Sequence, residues 1–250
     1  MSPCWPRILG YHSISRIEDD PNMMCTSPER FESQMLYLKR RNLRGVSVRE
    51  LLRAWSVGKA KSLVGLTFDD GYEDFLHTAL PVLEKFGFSA TVFVVGGMLD
   101  GENDWEHFFS PKPTMKLLGA QGIREVSERG MEVGSHTMSH PALPGLEAET
   151  LEREVSDSRR ILSKVLGEEV EGFCYPYGEL DDASVHAVRK ARYSYACTVD
   201  TRVGWNDAYD LPRTPVADRD NLLRFAAKLM VHPQYRAAKR IYVRYFKGSE

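Results

Sequence analysis

The chain has 250 residues, enough for one large α/β domain with a substantial buried core. Its 33 lysines and arginines nearly balance 35 aspartates and glutamates, so no global charge favours nucleic acid or an acidic partner. Four widely spaced cysteines, with no CxxC pair, indicate neither a disulfide framework nor a structural zinc knuckle, and favour reduced thiols.

The two ends of the chain carry the sequence signals for localisation. The first ten residues lack a basic stretch followed by an apolar one, and no apolar run approaches the length of a transmembrane helix. We therefore predict a cytoplasmic protein. The segment 235–247 is locally basic with interleaved aromatic residues. Such a segment suits either a terminal helix packed on the domain or peripheral contact with the inner membrane face.

Strand-like and helix-like stretches alternate along the chain. Strands are predicted over 7–14, 63–68, 89–95, 131–135, 170–175 and 193–199, and helices over 26–41, 47–55, 72–86, 121–129, 147–166, 181–190 and 221–231. Residues 200–215 are predicted to be mostly loop. The alternation predicts one domain over residues 1–250, built as a parallel barrel or near-barrel. An irregular insertion near 97–118 is expected to form a lid, a substrate wall or simple packing.

Two adjacent carboxylates, Asp69 and Asp70, follow the apolar strand Leu63–Phe68, and Gly71 permits a sharp exit into the next helix. The carboxyl ends of strands are where active sites collect in α/β folds. Two like charges side by side are costly unless a cation or a proton separates their roles. Taken alone, the pair is explained equally well by a helix N-cap with a solvated neighbour.

A second cluster, His136 and His140, follows the strand 131–135. Imidazoles at this spacing can reach one metal ion, although many such pairs are surface or capping histidines. Adding one carboxylate from Asp69 or Asp70 gives two histidines and one aspartate, the composition of a catalytic metal site with open positions. The second carboxylate would then be free to act as a base. The residues themselves do not assign the two roles.

Three ordered motifs, 67–71 (TFDDG), 136–140 (HTMSH) and 175–178 (YPYG), resemble those of the polysaccharide deacetylases, the NodB-homology group of carbohydrate esterase family 4. The resemblance implies a distorted (β/α)7 barrel similar to a TIM barrel, and metal-dependent removal of N-acetyl groups from amino sugars. It implies that Asp69 is the catalytic base and that Asp70, His136 and His140 bind the metal, most often Zn²⁺ and sometimes Co²⁺ or Ni²⁺. The backbone N–H of Tyr177 would stabilise the oxyanion.

Two departures from the commoner form of the family concern the acid and the partner of the base. Cys174 stands where that form has an arginine, and the only late apolar-x-His match is at His232. The segment Leu9–Ile14, with His12, and the later 211–216 (LPRTPV) resemble a circularly permuted branch similar to poly-N-acetylglucosamine deacetylases. This implies His12 as general acid and Arg213 as charge partner of Asp69. Asp200 could orient either group or cap a loop.

The expected function is therefore hydrolysis of the N-acetyl group of a saccharide, or of a lipid-linked saccharide precursor, with release of acetate. One alternative keeps the fold and changes the bond, giving a deformylase or cyclic amide hydrolase with a non-sugar substrate. Another is a catalytically silent carbohydrate-binding protein. The intact aspartate and histidine set argues against the silent protein, because clusters of titratable groups at strand ends usually mark function.

Overall fold

A computed structural model of the chain describes residues 6–17, 20, 22–105, 114–199 and 208–230. The nine strands of this part are β1 (Ile8–Tyr11), β2 (Arg44–Val46), β3 (Leu63–Phe68), β4 (Thr91–Val94), β5 (Glu132–Ser135), β6 (Gly172–Cys174), β7 (Tyr195–Thr198), β8 (Leu211–Pro212) and β9 (Thr214–Pro215). They form one sheet in the order β8-β7-β6-β5-β4-β3-β1-β9, with β2 paired to β3, and every named strand pair is parallel.

The sheet closes on itself through the short segment that contains β8 and β9. Only Arg213 separates these two strands, yet β8 pairs with β7 while β9 pairs with β1. One segment therefore joins the first and last strands of the ring. With β8 and β9 counted as one member beside β1, β3, β4, β5, β6 and β7, the described chain forms a nearly closed parallel barrel of seven members. The predicted distorted (β/α)7 barrel is confirmed.

Helices follow most strands, as the alternation predicts. They are α1 (Pro28–Arg40), α2 (Val48–Ser56), α3 (Leu80–Phe86), α4 (Ala120–Glu128), α5 (Ala148–Leu166) and α6 (Asp182–Lys190), and residues 222–230 are also helical. A π-helical turn, Phe75–Ala79, leads into α3, and a 3₁₀ turn, Pro176–Gly178, follows β6. Within the described residues, no helix combines the length and apolar character needed to cross a bilayer.

Side chains that alternate along each strand divide the core into two layers. Val64, Leu66 and Phe68 of β3 belong to the larger apolar cluster, which also contains the buried faces of the helices. Leu63 belongs instead to a smaller cluster with Phe93 from β4 and with other strand residues. The smaller cluster fills the inside of the barrel. Continuing the alternation of β3 beyond Leu63 places Thr67 and Asp69 on that inner face.

The sequence missed three short strands of the sheet, β2, β8 and β9. Residues 200–215, predicted to be mostly loop, contain β8 and β9. These strands have two residues each and include two prolines, so they carry no periodic signal of their own. Residues Arg44–Val46 form β2, which pairs with the beginning of β3. A three-residue strand is likewise too short to produce a readable alternation.

Candidate metal and catalytic site

The predicted site residues meet at the carboxyl edge of the barrel. Asp69 and Asp70 follow β3, His136 follows β5, and His12 follows β1. Because all these strands are parallel, their carboxyl ends lie at one edge of the sheet. The aspartates and His136 are almost fully buried, whereas the His12 side chain is 33% exposed.

Asp70, His136 and His140 form one group of side chains that could hold a metal ion. Oδ1 of Asp70 lies 3.5 Å from Nε2 of His136 and 3.3 Å from Nε2 of His140. One ligand atom from each residue lies within 4.8 Å of the other two. Two imidazoles and one carboxylate around a common point are the donor set of a catalytic zinc-type site that keeps positions open for water and substrate.

The partners of the two imidazoles orient both rings for metal binding. Nδ1 of His136 is 2.7 Å from the backbone carbonyl of Cys174, to which it can only donate, so Nε2 is the atom that a neutral ring would offer to a cation beside Asp70. Without a cation, the Cys174 and Asp70 contacts outweigh burial and hold the pKa of His136 well above its usual value. Nδ1 of His140 lies 3.2 Å from the Tyr177 hydroxyl, so its Nε2 also faces Asp70. Burial lowers the pKa of His140, which favours the neutral imidazole that a metal requires. These residues fit a divalent cation.

A second group, Asp69, His136 and Cys174, also brings three ligand atoms together. Arg213 argues against a cation there, because its Nη2 lies 3.0 Å from Sγ of Cys174 and 2.7 Å from Oδ2 of Asp69. The guanidinium already neutralises this carboxylate. Burial raises the pKa of the Cys174 thiol to about 11, which disfavours the thiolate that a metal would bind.

Left-handed backbone conformations cluster at the site. Four residues other than glycine have positive φ there: Asp70 (71°), Thr137 (69°), His140 (64°) and Tyr177 (59°). Each such residue costs free energy that surrounding contacts must offset, and such residues concentrate at functional sites. Two of the three candidate ligands, Asp70 and His140, are therefore held in unfavourable conformations by the fold around them.

The guanidinium of Arg213 makes bidentate hydrogen bonds to the carboxylate of Asp69. Nη1 lies 2.5 Å from Oδ1 and Nη2 lies 2.7 Å from Oδ2, and both side chains are almost fully buried. Nη1 also donates to the Thr67 hydroxyl at 3.0 Å, and that hydroxyl donates to the Leu9 carbonyl. Burial alone would raise the pKa of Asp69, but the Arg213 charge and hydrogen bonds outweigh it and hold the pKa below its usual value. Asp69 is thus kept ionised.

His12 also approaches this carboxylate. Its Nε2 lies 3.9 Å from Oδ2 of Asp69. The residues after it are fixed by Asp74, which accepts hydrogen bonds from the Ser13 hydroxyl at 2.6 Å and from the Ile14 N–H at 2.9 Å. The sequence did not single out Asp74. Its place five residues after Asp69 does not by itself predict the contact with Ser13 and Ile14, because the sequence does not show that these segments meet in the fold.

Trp105 is the other contact that sequence reasoning did not find. Its ring lies 4.6 Å from the His140 ring at an angle of 30°. The sequence indicated only that the insertion near 97–118 would form a lid, a substrate wall or simple packing. Three other features named from the sequence lie outside the described residues. They are Asp200, His232 and the basic segment 235–247.

The family model for polysaccharide deacetylase matches residues 56–196, more than half of the chain. The chain belongs to the polysaccharide deacetylase family. The matched range contains Asp69, Asp70, His136 and His140, whereas His12 and Arg213 fall outside it.

Individual members of the polysaccharide deacetylase family resemble the chain over most of its length. A Bacillus subtilis (strain 168) protein named "Putative polysaccharide deacetylase YxkH" is 27% identical over 214 residues, which are 84% of this chain and 71% of the relative. The Staphylococcus aureus (strain N315) poly-β-1,6-N-acetyl-D-glucosamine N-deacetylase is 25% identical over 197 residues, 77% of this chain and 68% of the relative.

A solved structure of a deacetylase shares the barrel. The Streptococcus pyogenes deacetylase PplD, determined in complex with acetate, superposes with a TM-score of 0.77 and 25% identity. The alignment covers 91% of this chain and 99% of that one. The NodB-like fold therefore extends through nearly all of the described residues.

Proposed function

We propose that this polysaccharide deacetylase is a metal-dependent N-deacetylase that removes acetyl groups from amino sugars. The observation that carries the proposal is the juxtaposition of two carboxylates with different partners. Asp70 faces His136 and His140, while Asp69 is gripped by Arg213 and approached by His12. A divalent cation held by Asp70, His136 and His140 would polarise the acetamide carbonyl and supply an acidified water.

Each remaining residue has a proposed role in amide hydrolysis. Asp69, kept ionised by Arg213, accepts a proton from the attacking water. The backbone N–H of Tyr177, in its left-handed turn, stabilises the oxyanion of the tetrahedral intermediate. His12, whose Nε2 lies 3.9 Å from Asp69, donates a proton to the departing amine. Because His12 precedes the matched motifs in the chain, we also propose that the chain belongs to the circularly permuted branch.

The substrate class is proposed from the same site and from one relative. The Staphylococcus aureus relative is named for poly-β-1,6-N-acetyl-D-glucosamine, and a β-1,6-linked N-acetylglucosamine oligomer is the first substrate to try. A lipid-linked saccharide precursor is the second, because the segment 235–247 carries the basic and aromatic residues suited to a membrane surface. Cytoplasmic localisation stays a prediction, as does a site preference for Zn²⁺ over Co²⁺ or Ni²⁺.

Two measurements on each variant test the proposal. They are acetate release from N-acetylglucosamine oligomers and the amount of metal bound to the protein. Asp69→Asn removes the base and is expected to lower kcat by at least about 100-fold, the usual effect of a general base, while metal content is retained. His136→Ala is expected to lose the metal and activity together. Asp182→Asn and His186→Ala make the same chemical changes at exposed positions of α6 and are expected to behave as wild type.

Three results would contradict the proposal. Near-normal turnover of Asp69→Asn would remove the assignment of the base. Formate release from N-formyl substrates without acetate release from N-acetyl ones would favour the deformylase alternative. A wild-type protein that binds sugar oligomers and releases neither acid would favour a carbohydrate-binding role.

A further inference from the structure

The irregular insertion forms a small hairpin beside the proposed metal site. Backbone bridges join Glu102 to Lys116 and Leu117 to Tyr72, in antiparallel orientation. The two arms, 101–105 and 114–118, are joined by hydrogen bonds from Asn103 N–H to the Met115 carbonyl and from Leu117 N–H to the Gly101 carbonyl. We call these two arms the clamp hairpin. Residues 106–113 between them lie outside the described residues.

The clamp hairpin grips the backbone immediately after Asp70. Leu118 N–H donates to the Gly71 carbonyl at 2.8 Å, and Glu73 N–H donates to the Lys116 carbonyl at 2.9 Å. Asp70 and Gly71 are two consecutive left-handed residues, with φ of 71° and 73°. A non-glycine residue in this conformation is unfavourable by itself, so neighbouring contacts must hold it. The two hydrogen bonds between the hairpin and this turn are such contacts.

The same hairpin reaches the turn after Asp70 through side chains. Asn103 Nδ2 donates to the Tyr72 hydroxyl at 3.3 Å, and Met115 N–H donates to Asn103 Oδ1 at 2.8 Å. The second bond fixes which end of the amide faces Tyr72. Tyr72 is buried and lies two positions after Asp70 in the chain. Asn103 therefore holds a buried side chain of the turn that follows Asp70.

At its other end the hairpin contacts a second proposed ligand. Trp105 packs its ring over His140, with centroids 4.6 Å apart, and is itself 93% buried in a small apolar cluster. That cluster includes Tyr72 and Leu117 and is separate from the main core. The His140 ring thus contacts the rings of both Trp105 and Tyr177. One element of the chain therefore packs against the residues that position Asp70 and against His140 itself.

We propose that the clamp hairpin sets the metal affinity of the site by preorganising Asp70 and His140, with Asn103 and Trp105 as positioning residues. The inference rests on the proposed metal-dependent function. Residues that orient metal ligands typically change affinity by about 10- to 100-fold when they are removed. Preorganisation acts here on a strained turn and on one imidazole ring, so its loss should appear first as weaker metal binding.

Zn²⁺ affinity, measured by competition with a chromophoric chelator, tests the hairpin with Trp105→Ala and Asn103→Ala. Each variant is expected to bind Zn²⁺ at least about tenfold more weakly than wild type. Trp105→Phe, which keeps an aromatic ring over His140, is expected to restore most of the affinity. Trp55→Phe, at a half-exposed position on α2, is the matched control and is expected to bind as wild type. The Tm of each metal-free protein separates loss of affinity from general destabilisation.

Quenching of tryptophan fluorescence by Ni²⁺ is measured beside the Zn²⁺ affinities. Ni²⁺ binding is expected to quench the fluorescence of wild type and of Trp55→Phe, and to quench Trp105→Phe much less, because Trp105 is the ring that contacts a proposed ligand. Unchanged Zn²⁺ affinity in both alanine variants, whatever their Tm, would overturn the role of the hairpin. Wild-type protein that binds neither cation would instead overturn the metal site and the proposed function, and the hairpin proposal with them.

Discussion

At the scale of single residues, Arg213 shows how one side chain can serve two purposes. Its guanidinium contacts both oxygens of Asp69, the Thr67 hydroxyl and the Cys174 sulfur, and its backbone N–H donates to the Thr198 carbonyl. A buried carboxylate without such a partner would protonate or destabilise the fold. Arg213 therefore keeps Asp69 ionised while its backbone takes part in closing the barrel.

Arg213→Lys is expected to retain the charge but lose the bidentate contact with Asp69. An ammonium group cannot match both carboxylate oxygens and also reach Thr67 and Cys174. Losing one hydrogen bond to a charged group, worth about 1.5–3 kcal/mol, should lower kcat by roughly tenfold or more. Steady-state kinetics with an acetylated oligomer measure the effect. Arg160→Lys, at an exposed position of α5, supplies the control, and an unchanged kcat in Arg213→Lys would contradict the role.

At the scale of elements, α2 is anchored to the opposite end of the barrel through its first turn. Arg49 N–H donates to Glu132 at 3.0 Å, and the Thr91 and Tyr195 hydroxyls donate to the same carboxyl group at 2.7 and 2.8 Å. Glu132 lies at the start of β5 and is buried. Burial raises the pKa of Glu132, although the three donors act in the other direction.

The pH dependence of stability is expected to reveal this buried carboxyl group. Since the pKa of Glu132 is higher in the folded state than in the unfolded chain, the folded protein binds the proton more tightly. Ionisation of Glu132 therefore costs no stability below the unfolded pKa of about 4.3, and costs more as the pH rises through the folded pKa. The free energy of unfolding of wild type should fall relative to Glu132→Gln over that range.

Urea unfolding at a series of pH values measures the difference for Glu132→Gln. Glu128→Gln, at an exposed position of α4, makes the same change on the surface and should give a difference that is flat with pH. A flat difference for Glu132→Gln as well would mean that its pKa is the same in the folded and unfolded states.

At the scale of the whole molecule, the site is assembled from distant parts of the chain. Asp69 and Arg213 are 144 positions apart, and His136 and Cys174 are 38 apart. A cation bound by Asp70, His136 and His140 would link β3 to the loop after β5, and would bind only the folded barrel. Metal binding should therefore stabilise the protein as a whole.

Adding Zn²⁺ to metal-free protein is expected to raise its free energy of unfolding by about 2.7 kcal/mol at a free concentration 100 times Kd. The gain follows from mass action on a ligand that binds only the native state. His140→Ala is expected to lose most of the gain, and His186→Ala is expected to keep it. Thermal unfolding with and without Zn²⁺ measures the gain, and an equal gain in His140→Ala would place the cation elsewhere.

Sequence alone determined the alternation of strands and helices and the places where Asp69, Asp70, His136 and His140 lie. Those features are local, because a buried strand needs an apolar run and its end is marked by polar residues and glycine. The parallel barrel followed from the alternation, and it brought these residues to one edge. The motif resemblance then proposed different roles for the two aspartates, which spacing alone left open.

Only the tertiary structure showed how that set is oriented. The resemblance named Arg213 as charge partner of Asp69, but the contact itself depends on a closing segment whose two-residue strands have no readable period. The contact of Trp105 with His140 depends on backbone pairing between an irregular insertion and the turn after Asp70. The anchoring of α2 by Glu132 joins residues 83 positions apart. Such contacts arise from packing between distant segments, and packing leaves no local pattern in the chain.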